Sequence, residues 1–195
     1  MNGDIHNNFI CIDGNIGAGK SSVLLHLHKN YKYNVDLEPV DKWQNYLDKM
    51  YLEDKGYFEF QKQVWEDRCW LQSKNNSSTP TILERSPYFT RHTFVEVLKD
   101  KYTQEEYEII DQMYNLTDKL WKPKKTFYIK TTPKVAYDRI VSRNRKSENL
   151  ISLQYLEKLH DAYERAYTNA KTFLYVIDGN NKSVEQIAKE INDNI

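Results

Sequence analysis

The chain has 195 residues, 28 Lys plus Arg against 28 Asp plus Glu, 39% hydrophobic residues and a mean hydropathy of −0.81. That is enough for one domain with a real core, and no apolar stretch approaches the roughly 20 residues needed to span a bilayer, so a membrane protein is excluded. Zero net charge argues against a protein built to coat nucleic acid and makes a small ligand the expected partner.

The polar segment Met1–Asn8 has no basic stretch followed by an apolar run, which predicts a cytoplasmic protein without a cleavable leader. Cys11, inside an apolar run, and Cys69, beside Trp70, have neither metal-ligand nor disulfide spacing and read as buried thiols in a reducing compartment. Aromatics make up 13% of the chain through 15 Tyr, so the core should be rich in rings.

Phe9 to Asp13 is a short apolar run ending at a glycine, the pattern of a buried parallel strand. After the turn at 14–21, Val23, Leu24, Leu27 and Tyr31 recur at helical spacing and predict a helix from Lys20 to about Tyr31. Val35 to Leu37 is a second strand, stopped by Glu38-Pro39 because proline cannot donate to a ladder. Residues 43–51 and 57–74 read as helices, and the turn-forming cluster Asn75 to Pro80 closes the second. Thr81 to Glu84 is the third strand, and Thr103 with Glu106 opens a helix to about Leu120. Thr126 to Lys130 is the fourth strand, and Thr132-Pro133 caps a helix to about Arg143. A polar segment at 144–149 separates it from a helix over roughly Ser152–Ala170. Phe173 to Ile177 is the fifth strand, and Ser183 with Gln186 caps a last helix to about Asn192. Apolar strands without alternation, separated by helices, predict one α/β domain over residues 1–195, a five-stranded parallel sheet with helices on both faces.

Gly14-Asn15-Ile16-Gly17-Ala18-Gly19-Lys20-Ser21, followed by Ser22, matches G-x-x-x-x-G-K-[ST] between a strand and a helix. Glycines there let backbone N–H groups wrap a phosphate, the helix N-terminus adds positive potential, Lys20 reaches the outer phosphates and Ser21 can ligate Mg²⁺. A GTPase would need N-K-x-D, and Asn181-Lys182-Ser183-Val184 lacks the aspartate. A small phosphotransferase remains.

Glu38 closes the second strand on the sheet edge where the P-loop also lies, so it can accept the proton of an attacking hydroxyl. Glu84-Arg85-Ser86 follows the third strand in the same position; Glu84 can bind Mg²⁺, and Arg85 can neutralise phosphate charge or orient Glu38. The chain holds 21 Lys but 7 Arg, yet Arg139, Arg143 and Arg145 lie close together at a helix end, as a lid with bidentate phosphate contacts would require. Phe58, Phe60, Gln61, Val64, Trp65 and Arg68 lie on one helix, with Gln61, Val64 and Arg68 on a shared face, and the Gln61 amide can pair with a base edge.

These segments, GNIGAGKSS, Glu38–Trp43, Met50-Tyr51, Phe60-Gln61, Glu84-Arg85-Ser86 with Phe94 beyond, Arg143 to Glu148 and Tyr155–His160, occur in the order of the deoxynucleoside kinase family. The resemblance spans roughly residues 8–180. It implies a P-loop nucleoside-kinase-like three-layer fold with a lid at about 139–151, ATP and Mg²⁺ as cofactors, a deoxynucleoside substrate and a homodimer. Glu38 resembles the general base for the 5′-hydroxyl, Tyr51 and Glu148 the pair on the 3′-hydroxyl, and Gln61 the base-pairing amide. Phe94 resembles the stacking ring, Trp43 and Phe60 the pocket wall with Val64, and Glu84 the Mg²⁺-linked acid. Arg85 resembles the arginine beside the 5′-oxygen; Arg139, Arg143 and Arg145 resemble the lid arginines, and Asp178-Gly179-Asn180-Asn181 the loop on the donor adenine.

In the deoxycytidine and deoxyguanosine kinases an arginine at the position of Arg68 is partnered by an aspartate where this chain has Thr90. Arg68 without that carboxylate either favours acceptors such as a purine N7 or guanine O6, or turns toward Asp67, Glu66 or water and leaves room for a pyrimidine; a broad base range is expected. The competing readings are a thymidylate-type monophosphate kinase, against which a carboxylate at Glu38 argues, and a catalytically silent nucleotide-binding regulator.

Overall fold

The computed structural model describes residues 9–70, 80–120, 123–145, 148, 150–170 and 174–195. Strands β1 (Phe9–Asp13), β2 (Asn34–Asp36), β3 (Thr81–Glu84), β4 (Lys125–Lys130) and β5 (Leu174–Asp178) form one parallel sheet of order β2-β3-β1-β4-β5. Eight α-helices accompany them among the described residues: α1 (Lys20–Tyr31), α2 (Gln44–Glu53), α3 (Tyr57–Trp65), α4 (Pro87–Thr90), α5 (Gln104–Leu120), α6 (Pro133–Arg143), α7 (Leu153–Asn169) and α8 (Val184–Asn192).

β1 and β3 are buried along their whole length, which is why both lack polar alternation. Successive β1 residues feed different layers. Ile10 and Ile12 pack with Leu24 and Leu27 of α1 and with Ile187 and Ile191 of α8, while Phe9 and Cys11 pack with Leu83. Beyond β4, the rings of Phe89, Tyr128 and Tyr163 stack, with the Tyr128 and Tyr163 planes only 7° apart, and supply the expected aromatic core. Cys11 and Cys69 are buried and form no disulfide, and burial pushes both thiols up.

Most strand and helix bounds agree with the sequence reading to within a residue or two. β2 starts and ends one residue earlier than Val35–Leu37, and Phe173 of the expected fifth strand, like residues 71–79, lies outside the described residues. The expected helix at 57–74 is regular only to Trp65 and then widens into a π turn over Glu66–Trp70. A second π turn, Arg91–Val95, continues α4, a segment to which the sequence reading assigned no element. Its signal is present: Ser86 accepts from the Phe89 N–H as an N-cap, and Pro87 opens the helix. The Thr103/Glu106 and Ser183/Gln186 boxes form as read. Thr132 flanks α6, but its hydroxyl donates to Asn180 Oδ1 at 3.2 Å instead of capping the helix.

Candidate active site

The turn after β1 brings backbone where a side chain cannot go. Gly17 has φ +79°, and a Cβ there would lie 2.4 Å from the Ala136 carbonyl oxygen; Gly14 has φ +151° and its Cβ would meet the Ile129 carbonyl oxygen at 2.6 Å. Asn15 pins the loop to α7, donating from Nδ2 to the Leu156 carbonyl at 2.9 Å while Oδ1 accepts from Ile16 N. The loop then enters α1, whose first N–H groups have no helical partner and create positive potential at the loop.

Lys20 is buried, donates to the Asn15 carbonyl at 3.0 Å and lies 3.9 Å from Glu84 Oε1. Burial, and next the charge of Arg85, lower its ammonium to about 8 against the opposing pull of Glu84, Glu38 and Asp13. Ser21 donates to both Glu84 oxygens, at 2.9 and 3.1 Å, and the Glu38 N–H reaches the same carboxylate at 3.3 Å.

Glu38 and Arg85 meet across the ends of β2 and β3, with Arg85 Nε donating to Glu38 Oε1 at 2.8 Å. Arg85 is a non-glycine residue at φ +68°, a conformation that needs support on both sides. Its own N–H donates to the Ile12 carbonyl at 3.0 Å, and the next N–H, of Ser86, donates to Asp13 Oδ2 at 3.0 Å. Arg85 Nη1 donates to the Gly14 carbonyl at 2.9 Å and to the Tyr163 hydroxyl at 2.5 Å, and its guanidinium lies 4.4 Å over the Phe94 ring. Asp13 is fully buried, its Oδ1 has no partner among the described residues, and burial raises its carboxyl to about 7 against the pull of Ser86 and Arg85.

Lys20, Ser21, Glu38, Glu84 and Arg85 line a cavity of about 320 Å³, inside the range of small-molecule sites. One end holds Ile16, Gly17, Gly19, Lys20, Ser21 and Ser22; the middle holds Glu38, Glu84 and Arg85. Trp43, Tyr51, Phe60, Gln61, Val64, Thr90 and Phe94 surround the other end, and Arg143, Arg145 and Glu148 also line the cavity. Trp43 stands edge-on to Phe60 at 5.7 Å and is fixed by a 2.8 Å bond from Nε1 to Asp67 Oδ2. Gln61 is 2% exposed and its Oε1 has no partner among the described residues, while the side chain lines the cavity. Arg143 forks onto Glu148, Nε and Nη2 each at 2.5 Å, and Arg145 lies 3.6 Å from the same carboxylate. Burial, with Glu148 adding to it, pushes the Tyr51 phenol up to about 12.

Several residues singled out in the sequence do not line this cavity. Gly14, Asn15 and Ala18 shape the loop from behind. Arg68 leaves the Gln61 face and finds a carboxylate after all, that of Asp36 at 2.8 Å, instead of Asp67, Glu66 or the missing group at Thr90. Arg139 reaches the carbonyls of Gly179 (2.8 Å) and Ala18 (3.5 Å) and joins the P-loop to the loop after β5. Asp178 accepts from Asn180 N and Asn181 Nδ2, and Asn180 Oδ1 accepts from Thr132 N at 2.9 Å, so both brace that loop. Val40, Leu47, Leu98 and Ile151 line the cavity without having been singled out; each reads in the sequence as ordinary core.

A parallel sheet with a P-loop at its carboxyl edge, and a paired carboxylate and arginine facing a cavity of small-molecule size, defines a P-loop phosphotransferase with a small-molecule acceptor. The deoxynucleoside kinase family pattern matches residues 10–195, and the chain belongs to that family. Protein 143R of Invertebrate iridescent virus 6 is 33% identical over 187 residues, 93% of each chain. Human mitochondrial thymidine kinase 2 is 29% identical over 166 residues, which cover 80% of this chain and 62% of that one. The deoxyadenosine kinase of M. mycoides with dCTP bound superposes with a TM-score of 0.78 at 27% identity, covering 95% of this chain and 97% of that chain. The same enzyme, solved with the products dCMP and dCDP, gives 0.78 at 25% identity over the same shares. Among the described residues no helix is long and apolar enough to cross a membrane.

Proposed function

We propose that this kinase moves the γ-phosphoryl of ATP to the 5′-hydroxyl of a deoxynucleoside, with Glu38 as the base. The observation that carries the reading is the Glu38–Arg85 pair, 2.8 Å apart, midway along one cavity that runs from Lys20 and Ser21 to Gln61. The dCMP and dCTP in the M. mycoides structures support nucleotides as the occupants.

The nucleoside enters base first. Gln61 pairs with the base edge, Phe94 stacks on the base, Trp43, Phe60 and Val64 wall it, and Tyr51 with Glu148 holds the 3′-hydroxyl. This sets the 5′-hydroxyl beside Glu38, whose carboxylate accepts the proton as the O5′–phosphorus bond forms and the bond from the γ-phosphorus to the bridging oxygen breaks, leaving ADP. Arg85 holds Glu38 in place and faces the growing charge. The P-loop N–H groups and Lys20 carry the β- and γ-phosphates, Arg143 and Arg145 close over them, and the Asp178–Asn181 loop flanks the adenine. Ser21 Oγ and the Glu84 carboxylate, hard oxygens already within 3.1 Å of each other, fit a Mg²⁺ held chiefly through substrate phosphates. When bound, that ion neutralises charge on the β- and γ-phosphates. We also propose a homodimer on the strength of the family resemblance, which sedimentation would test.

The test is ATP- and Mg²⁺-dependent phosphorylation of thymidine, deoxycytidine, deoxyadenosine, deoxyguanosine and thymidine monophosphate, beside Glu38→Gln. Loss of the base is expected to lower kcat by roughly 10²–10⁴-fold with little change in nucleoside KM. Turnover of the monophosphate alone, or a Glu38→Gln enzyme with normal kcat, would overturn the proposal.

A further inference from the structure

Arg68 leaves the helix face of Gln61 and Val64 because α3 gives way to the π turn at Glu66, which changes the angular step between residues. Its guanidinium, 9% exposed, goes instead to the carboxyl ends of β2 and β3. Nη1 donates to Asp36 Oδ1 at 2.8 Å and to the Leu37 carbonyl at 3.2 Å; Nη2 donates to the Asp36 carbonyl at 3.3 Å and the Glu84 carbonyl at 3.0 Å.

The next residues along those two strands are Glu38 and Arg85. β2 is a three-residue edge strand whose pairing with β3 stops at Asp36 opposite Leu83. Beyond that rung, the ladder no longer sets the distance between Leu37-Glu38 and Glu84-Arg85. Among the described residues, besides the Glu38–Arg85 pair itself, the gap is spanned by the 3.3 Å bond from Glu38 N to the Glu84 carboxylate and by the Arg68 fork on both backbones. A guanidinium suits this because its N–H groups are rigidly disposed toward several acceptors, whereas a lysine offers one mobile head.

We infer that Arg68, anchored by Asp36, is a positioning residue that fixes the spacing of Glu38 and Arg85, and that it does not read the base. The inference rests on the proposed roles of Glu38 and Arg85. It leaves the base end of the cavity to the Gln61 amide among Val64, Thr90 and Leu98, a lining to which Arg68 does not contribute among the described residues.

The experiment compares Arg68→Met, Arg68→Lys and Asp36→Asn with the unaltered enzyme on all four deoxynucleosides, at a temperature where each is fully folded by circular dichroism. Arg68→Met is expected to lower kcat by about tenfold or more, equivalent to losing roughly 1.4 kcal/mol of transition-state positioning. The factor should be the same for every base, each KM should stay within about twofold, and the order of base preference should not change. Arg68→Lys, which keeps the charge but not the fork, should recover stability more than kcat. A changed order of bases would show that Arg68 reads the base, and an unchanged kcat would show that the strut is only structural; either overturns the inference. Should Arg68→Met fail to fold, Asp36→Asn puts the same question, with a uniform fall in kcat of about threefold expected from weakening one charged hydrogen bond. Turnover by the unaltered enzyme, and its loss in Glu38→Gln, test the underlying reading separately, so failure of the strut and failure of the base are told apart.

Discussion

Lys20 shows how much of the site's chemistry is set by what surrounds a single side chain. It is buried beside Arg85, a like charge, and both effects weaken its hold on a proton, bringing it to about 8. A triphosphate on the P-loop adds several negative charges at the same point and should return the ammonium toward or above its ordinary range. Nucleotide binding at pH 8 to 9 should therefore take up part of a proton at Lys20, whereas at pH 6.5 the lysine is already charged and contributes none. Calorimetric titration with ATP in buffers of different ionisation enthalpy measures this directly. Uptake that is the same at both pH values, or absent in the unaltered protein at pH 8.5, would sink the account, and Lys20→Met should abolish the difference.

Elements decide which of these side chains meet. The P-loop was legible because the loop's glycines are dictated by backbone clearance, and β1, β3 and β4 because a strand buried on both faces shows no regular polar alternation, whereas the half-exposed β2 and β5 were marked by the Glu38-Pro39 stop and by a short apolar run. Gly17→Ala would force a Cβ to within 2.4 Å of the Ala136 carbonyl at a φ of +79°, so we expect a loss of about 1–3 kcal/mol of stability. Because α6 would have to retreat from the loop, the KM for ATP should rise as well; a variant with unchanged melting temperature and ATP affinity would contradict the geometry. The triplet Glu38, Glu84 and Arg85 was legible too, since strand ends on one sheet edge converge by topology. What local spacing could not show was the course of α3 and α6. Gln61 and Arg68 are seven residues apart, the spacing of one face in a regular helix, but the π turn at Glu66–Trp70 breaks that phase without any compositional mark. The acceptor that Arg68 finds, Asp36, is 32 residues away and reachable only once the sheet has formed. Arg139 and Arg143 do occupy one face of α6, yet a helical turn of rise separates them, so Arg139 meets the Gly179 carbonyl while Arg143 meets Glu148.

At the scale of the whole molecule, the carboxyl edge of β1, β2 and β3 gathers Asp13, Asp36, Glu38 and Glu84 against Lys20, Arg68 and Arg85. A chain of zero net charge has placed much of its buried charge at one edge, where the groups that brace the fold are the ones proposed to serve catalysis. Asp13 is the clearest case. Its backbone bond to Ser86 supports the left-handed Arg85, yet burial raises its carboxyl from 3.8 to about 7. Between roughly pH 4 and pH 7 the folded protein therefore keeps a proton that the unfolded chain has released, so this group's contribution to stability falls as pH rises through that window and is level outside it. Asp13→Asn keeps an oxygen to accept the Ser86 N–H but cannot ionise. Relative to the unaltered protein, the variant should gain stability steadily from pH 4.5 to pH 7.5, while slopes arising from every other group cancel in the comparison. Urea melts at the two ends of that range measure the difference. A stability difference that does not change with pH would mean that Asp13 is already ionised in the fold at pH 4.5, its charge carried by Ser86 and Arg85, and that this edge of the sheet tolerates one more buried carboxylate than its surroundings indicate.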